Sequence, residues 1–467
     1  MSTAVQSTGK NKKIDFLNGP LAWNITKFSV PVMMSGILQH LYNAADIIVV
    51  GRFNGYLSQG AVSSVGSLVT LITTLFLGLS IGANVVVARH LGAGEDDRVH
   101  RAVHTSVAIS LIAGLIVSLT GFFMSRTFLE WMSSPDDIID LSALYLKIFF
   151  LGSPASLFYN FGAAILRASG DTKRPLMFLS ISGLLNVLLN ILFVTVLDMN
   201  VAGVATATII SQYLSALLVL IALMREKSAI RLSLNRLRIY AKELLEIVKV
   251  GIPTGIQSTL FSFSNVIIQS SYNYFGSVTV AGVGAGANID AFVYLPMNSV
   301  YQAALTFTSQ NYGAKKYDRL KKVAVNSTVI VSAFGIIIGM LVIVFGRNIA
   351  WLYTDTESVI DVAMIRVMVM GTTYFTCGIM DVGSGCLRGI DHAVYPMFVT
   401  IAGACGLRIV WIMTVFEHNK DLLVLLMSYP ISWVITSITL FLGYAYFHRK
   451  LMSKVRADSE ADPTESN

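Results

Sequence analysis

Charge is what this chain has least of. Lys, Arg, Asp and Glu together make up 13% of its 467 residues, while 54% are hydrophobic. An ordinary soluble domain carries roughly 25% charged residues, and a soluble chain of this length would divide into several domains with polar surfaces. Too few polar residues are present to cover them, which excludes a soluble enzyme, a disordered scaffold and a nucleic-acid binder. The net charge of +7 is spread over short connections and forms no single basic face. Cysteine is scarce too: Cys377, Cys386 and Cys405 lie in apolar stretches without a metal-ligand spacing and read as buried small hydrophobes. No nucleophile elbow, phosphate loop or metal motif is present, so the chain is not expected to be an enzyme or to carry a cofactor or resident metal. The polar opening MSTAVQSTGKNKKIDFLNGP predicts no cleavable signal peptide.

Long apolar runs are abundant. A spanning helix needs about 20 mainly apolar residues, and twelve such runs occur, at about 30–50, 61–88, 102–125, 141–166, 175–197, 201–224, 246–274, 281–309, 323–345, 359–386, 395–416 and 421–447. The chain is therefore an all-α polytopic membrane protein. With the N-terminus inside, 27 of the 34 Lys and Arg fall on cytoplasmic segments, Lys10 and Lys12 included. Four (Arg52, Arg126, Arg347, Lys420) fall outside, and three (Lys147, Arg366, Arg408) lie within spans. Because basic residues are retained on the cytoplasmic side, both termini are expected there, in the plasma membrane. Lys147 and Arg366 sit near span ends and are expected to snorkel to the interface.

The chain also repeats itself. Gly92-Ala93 with Asp97-Arg98 recurs as Gly313-Ala314 with Asp318-Arg319, and Leu166-Arg167 before Pro175 recurs as Leu387-Arg388 before Pro396, always 221 residues on. Two six-helix lobes, 30–224 and 246–447, follow. Because six is even, a pseudo-two-fold axis along the membrane normal relates them, an arrangement suited to alternating access around a midplane site. A cytoplasmic segment (1–29) precedes them, a basic amphipathic linker (225–245) joins them, and a cytoplasmic tail (448–467) is expected to be disordered. Secondary transport fits best; a membrane-embedded enzyme or a passive channel are the other classes.

Polar residues inside spans are costly and point to function. Gln39, Asn43 and Asp46 share one face of the first span, where the carboxylate can hold a proton or Na⁺. Asn160 in the fourth span, Asn186 and Asn190 in the fifth and Thr208 in the sixth offer neutral oxygens suited to a hard cation, or bonds between helices. The second half carries Asp290, Asp381 (the repeat counterpart of Asn160) and Arg408, which is placed to pair with either acid. The seventh span has a wet stripe, Thr254, Ser258, Ser262, Asn265, Gln269 and Asn273, with Gln257 beside it, expected to line a cavity. His40, one residue off the Asp46 stripe, reads as a packing histidine. Prolines 31, 154, 253, 296 and 430 can bend or break spans.

Taken together, LYNAADIIVVGRF, ARHLGAG with SQNYGA, ILRASGDTKRP with CLRGIDHAVYP, and PTGIQSTL resemble the multidrug and toxic compound extrusion (MATE) family of secondary transporters over about residues 20–447. The resemblance implies a monomeric bacterial inner-membrane protein with a V-shaped cleft. It would export small organic, mostly cationic amphipathic compounds by antiport with H⁺ or Na⁺. It also implies a cation site at Asp46 with Asn160, Asn186, Asn190 and Thr208. Many relatives have an acid where this chain has Asn190, so Asp46 is the sole carboxylate of that site. The alternative within the superfamily is a flippase for lipids or lipid-linked oligosaccharides. Those proteins often have a strongly cationic cleft, whereas here Arg408 is the only basic residue in mid-span.

Overall fold

The computed structural model describes residues 13–132 and 134–461, and no strand occurs among them. Twelve helical rods follow in order. The first lobe contains α1 (Leu21–Ser64), α2 (Gly66–Ala93), α3 (Asp96–Trp131), α4 in two pieces (Ile139–Leu151 and Ser153–Ala168), α5 (Lys173–Val196) and α6 (Asn200–Met224). The second contains α7 (Ala241–Tyr272), α8 (Ser277–Gly313), α9 (Tyr317–Ala350), α10 (Glu357–Gly389), α11 (Val394–Phe416) and α12 (Leu422–Ala461). Among the described residues, nine helices are long and apolar enough to cross a membrane, or ten if the pieces of α4, bent by 48° beside Pro154, count as one. The early part of α1 and all of α7 are not in that set, because each carries a polar stripe. Outward faces are apolar: Phe123, Val196, Leu352 and Met413 are all largely exposed, as expected of residues that meet lipid.

The repeat is built into the backbone. Three positions of positive φ recur at the same offset of 221: Gly55 with Gly276, Gly94 with Lys315, and Gly170 with Asp391. The lobes meet reciprocally about that axis. A side chain at Gly92 would strike the carbonyl of Gln310, and one at Gly313 would strike the carbonyl of Arg89, itself the repeat counterpart of Gln310. Ion pairs reinforce the same end of the bundle: Arg89 to Asp391 at 3.1 Å, Lys249 to Asp391 at 3.1 Å, and Arg98 to Glu246 at 2.5 Å.

Several boundaries differ from the expectation. α1 begins at Leu21, and Ile14, Phe16, Leu21, Ile25, Phe28 and Val32 pack into the core of the second lobe. Phe16 stands 4.6 Å from Phe307, centroid to centroid. Residues 14–32 are thus part of the C-lobe core, because their apolar side chains face α8. The expected loop near residues 51–60 is helical: the chain reverses at Gly55, and the second span already runs from Leu57. The linker is extended, with one 3₁₀ turn at Leu234–Arg236 and helix only from Ala241. Ile230 and Leu232 anchor it in the N-lobe core. The tail is helical through Ala461; Lys10, Lys12 and residues 462–467 lie outside the described residues. All three cysteines are buried and free.

Candidate functional site

Asp46 is 6% exposed and sits at the wall of a cavity of about 430 Å³ lined mainly by the first lobe. Asp46 stands on α1, and two further helices, α5 and α6, bring its partners to it. Asn190 of α5 donates its Nδ2 to Asp46 Oδ1 at 2.5 Å, and Thr208 of α6 donates its hydroxyl to Asp46 Oδ2 at 3.2 Å. Asn186, one turn before Asn190 on α5, contacts both: its amide donates to Thr208 at 3.3 Å, and its Oδ1 accepts from Asn190 at 3.3 Å. The i, i+4 spacing of the two asparagines is what lets them face α1 together. One oxygen of the group, Asn190 Oδ1, is buried without a hydrogen-bond partner. Two carboxylate oxygens, amide oxygens and a hydroxyl thus cluster beside a cavity, a donor set suited to a proton or a hard monovalent cation.

Gln39 and Asn43 line the same cavity as Asp46, as does His40, whose ring lies 6.1 Å from that of Phe292. Asn160 also lines the cavity, but its amide is turned to the Ser156 carbonyl at 2.8 Å and makes no hydrogen bond to Asp46. Arg167 was counted above among cytoplasmic loop residues, yet it is on the cavity wall. Its counterpart Arg388, counted the same way, is buried in the second lobe, where it donates to Gln257 Oε1 at 2.7 Å and to the Tyr301 hydroxyl. The repeated Leu-Arg motif was the signal for both. Gln212 of α6 and Asn298 and Gln302 of α8 complete the wall, so this cavity draws on both lobes.

A second cavity of about 510 Å³ lies in the other lobe, lined by Gln257, Ser258, Ser262, Asn265 and Gln269 of α7 and by Asp290 and Asp381. Thr254 is buried instead, bonded to the Val250 carbonyl, and Asn273 has left the helix for a 3₁₀ turn. The expected pairing of Arg408 with Asp290 or Asp381 is not the arrangement found. Asp290 pairs with Arg366 at 2.7 Å, and Arg366 is buried rather than snorkelling. Arg408 is fully buried among rings, 4.3 Å from the centre of Tyr429 and 5.5 Å from that of Trp433, and it donates to Ser432 at 2.9 Å. The reason is helix rotation: α11 turns Arg408 toward α7 and α12, whereas Asp290 on α8 faces α10. Asp381 interacts with Tyr294 and Arg388, and its Oδ2 lacks a hydrogen-bond partner.

Two six-helix lobes joined in parallel, each hollowed by a polar cavity within an apolar exterior, define a multi-pass membrane transporter. Comparison with known proteins makes this specific. The MatE family model matches twice, at residues 31–192 and 253–414, and the chain belongs to that family. The probable multidrug resistance protein YoeA of Bacillus subtilis is 26% identical over 92% of this chain and 94% of its own length. YpnP of the same organism, also a probable multidrug resistance protein, is 31% identical over 65% of this chain and 67% of its own length. Among solved structures, a MOP superfamily transporter from Pyrococcus furiosus superposes with a TM-score of 0.88 at 22% identity, covering 96% of this chain and 99% of the other. An outward-facing multidrug resistance MATE family transporter superposes at 0.87 and 21% identity, covering 96% and 100%. At that identity the likeness is one of fold.

Proposed function

We propose that this MATE transporter exports small organic, mostly cationic amphipathic compounds by antiport with H⁺ or Na⁺, and that the ion is loaded at Asp46. The observation that carries this reading is the buried Asp46 carboxylate, held by Asn190 and Thr208 at the edge of a cavity large enough for a small amphipathic molecule. An ion shifts the balance between two lobe arrangements only by its differential affinity for them. A carboxylate on one helix whose partners come from two others has such a difference, because its coordination changes as those helices move. Substrate in the same cavity competes for the same walls, so ion and cargo take turns. Drug-resistance relatives support the cargo class. One chain supplies both lobes, so a monomer in the bacterial inner membrane suffices.

The test is uptake of a fluorescent organic cation by liposomes holding the purified protein, under an imposed pH or Na⁺ gradient. Asp46→Asn keeps the size of the side chain but removes its charge and titration. The variant should fold and bind the dye, yet lose gradient-driven transport by roughly tenfold or more, within the usual range of coupling between sites. Transport by the variant at the wild-type rate would move ion coupling away from Asp46.

A further inference from the structure

A third cavity, of about 530 Å³, lies on the outer surface between α9 and α12 and shares no residue with the other two. Lys321, Val325 and Val329 form one wall, and Phe441, Ala445 and Arg449 form the other. Each set follows i, i+4, i+8, so each is one face of its helix. The two helices run antiparallel, which puts Lys321 and Arg449 at the same end. There His448 Nε2 reaches the Tyr317 carbonyl at 3.3 Å and ties the helices together. The rest of the lining is apolar apart from Thr328, whose hydroxyl is turned back to the Ala324 carbonyl at 2.9 Å, and the hydroxyl of the buried Tyr444, which has no hydrogen-bond partner.

Charge distinguishes this groove from the rest of the apolar exterior. Lys321 and Arg449 are exposed and make no ion pair among the described residues, and no acidic residue lines the groove. At the same end of the bundle Arg89, Arg98 and Lys249 are paired, while Lys322 and Lys450 are exposed and also make no ion pair among the described residues; of the unpaired set only Lys321 and Arg449 line the groove. Two uncommitted cations therefore stand at the mouth of an apolar trough. The eight-residue rise from Lys321 to Val329 makes that trough about 12 Å long, most of the ~15 Å depth of one hydrocarbon leaflet. We propose that this groove holds one anionic phospholipid, its phosphate between Lys321 and Arg449 and an acyl chain along Val325, Val329 and Phe441. Basic sites between spanning helices recognise acidic headgroups by this combination of charge and depth.

The test uses the full-length protein, stripped of lipid in a neutral detergent, titrated with dioleoyl phosphatidylglycerol and followed by native mass spectrometry. One lipid should bind ahead of all others. Lys321→Gln with Arg449→Gln should weaken that first binding by roughly tenfold or more. Val325→Trp, at a half-exposed position, fills the trough without altering charge and should weaken it as well. Dioleoyl phosphatidylcholine should bind the wild type and the charge variant alike, and glycerol 3-phosphate should not compete. A first binding step unchanged in both variants, equal affinity for phosphatidylcholine, or displacement by glycerol 3-phosphate would each overturn the assignment. Should the charge variant fail to fold, Val325→Trp decides the matter alone.

Discussion

Gly55 and Gly276, 221 residues apart, hold the same unusual backbone conformation: φ 82°, ψ 177° at the first and φ 85°, ψ 175° at the second. That region of conformational space is essentially restricted to glycine. Gly276 marks the reversal between α7 and α8, and Gly55 marks the matching reversal inside Leu21–Ser64, after which the second span begins at Leu57. A side chain built at either would meet nothing within 4 Å, so space is not what requires glycine there. Gly276→Ala should therefore cost about 1–3 kcal/mol from backbone strain alone. Gly284→Ala, equally open but helical, should be neutral or stabilising by about 0.5–1 kcal/mol. Melting of the two variants in detergent compares them, and equal melting temperatures would contradict the strain.

The buried pair in the second lobe gives a double-mutant cycle. Removing one partner of a buried ion pair typically costs about 3–5 kcal/mol because the other charge is stranded. Asp290→Asn and Arg366→Met should each lower thermal stability on that scale. The double variant should recover much of the loss, since no charge then remains unpaired. Arg408→Met should show no such coupling to Asp290→Asn. Additive losses for Asp290 and Arg366, or strong coupling of Asp290 to Arg408, would reverse the pairing described above.

A pH effect is expected from the clip that fastens the N-terminal segment. Burial pushes the Glu226 carboxyl up, but hydrogen bonds and charge from Arg174 at 2.7 Å and Lys13 at 2.9 Å outweigh it and hold the group at about 2, below its ordinary value of 4.5. A depressed carboxylate adds stability that is fully present above its unfolded value and is lost as pH falls through the folded one. The wild type should therefore lose stability between about pH 4.5 and about 2, and Glu226→Gln should flatten that part of the profile. Melting curves across that window measure it; identical slopes would mean the clip contributes nothing.

Orientation is checked with one cysteine. Ser228 is exposed on the connection between the lobes. Ser228→Cys, in a background lacking Cys377, Cys386 and Cys405, should resist a membrane-impermeant thiol reagent in intact cells and react after lysis. Ready labelling from outside would invert the topology inferred from the basic residues.

Twelve spans and an internal repeat were legible because both are written in one dimension, as apolar runs and as motifs at a constant offset. Gly55 and Gly276 obey that offset too, but their neighbours differ (RFNGYL against NYFGSV), so the pair stands out only once φ is known. Asp46 was legible as a carboxylate in an apolar helix, and Asn186 and Asn190 as a turn of amides. Their meeting was not, since it depends on how far α1 and α5 rotate about their own axes. The same rotation separates Arg408 from Asp290 and gives that acid to Arg366, which hydropathy alone places near a span end. Arg167 and Arg388 were hidden for another reason. Basic residues beside Pro-containing turns look like loop charges until the fold draws them into the lobes.

The packing of Ile14 to Val32 against the second lobe has a consequence for how the protein is made. The Phe16 carbonyl accepts its hydrogen bond from Asn311, 295 residues later in the chain. At roughly 5–20 residues per second of synthesis, the segment emerges on the order of 15–60 s before its partner. During that interval Phe16, Ile25 and Phe28 have no core to enter, and only lipid or a chaperone can cover them. A segment translated ahead of the whole first lobe is thus completed only by the second, which couples the folding of the two halves of this duplicated chain.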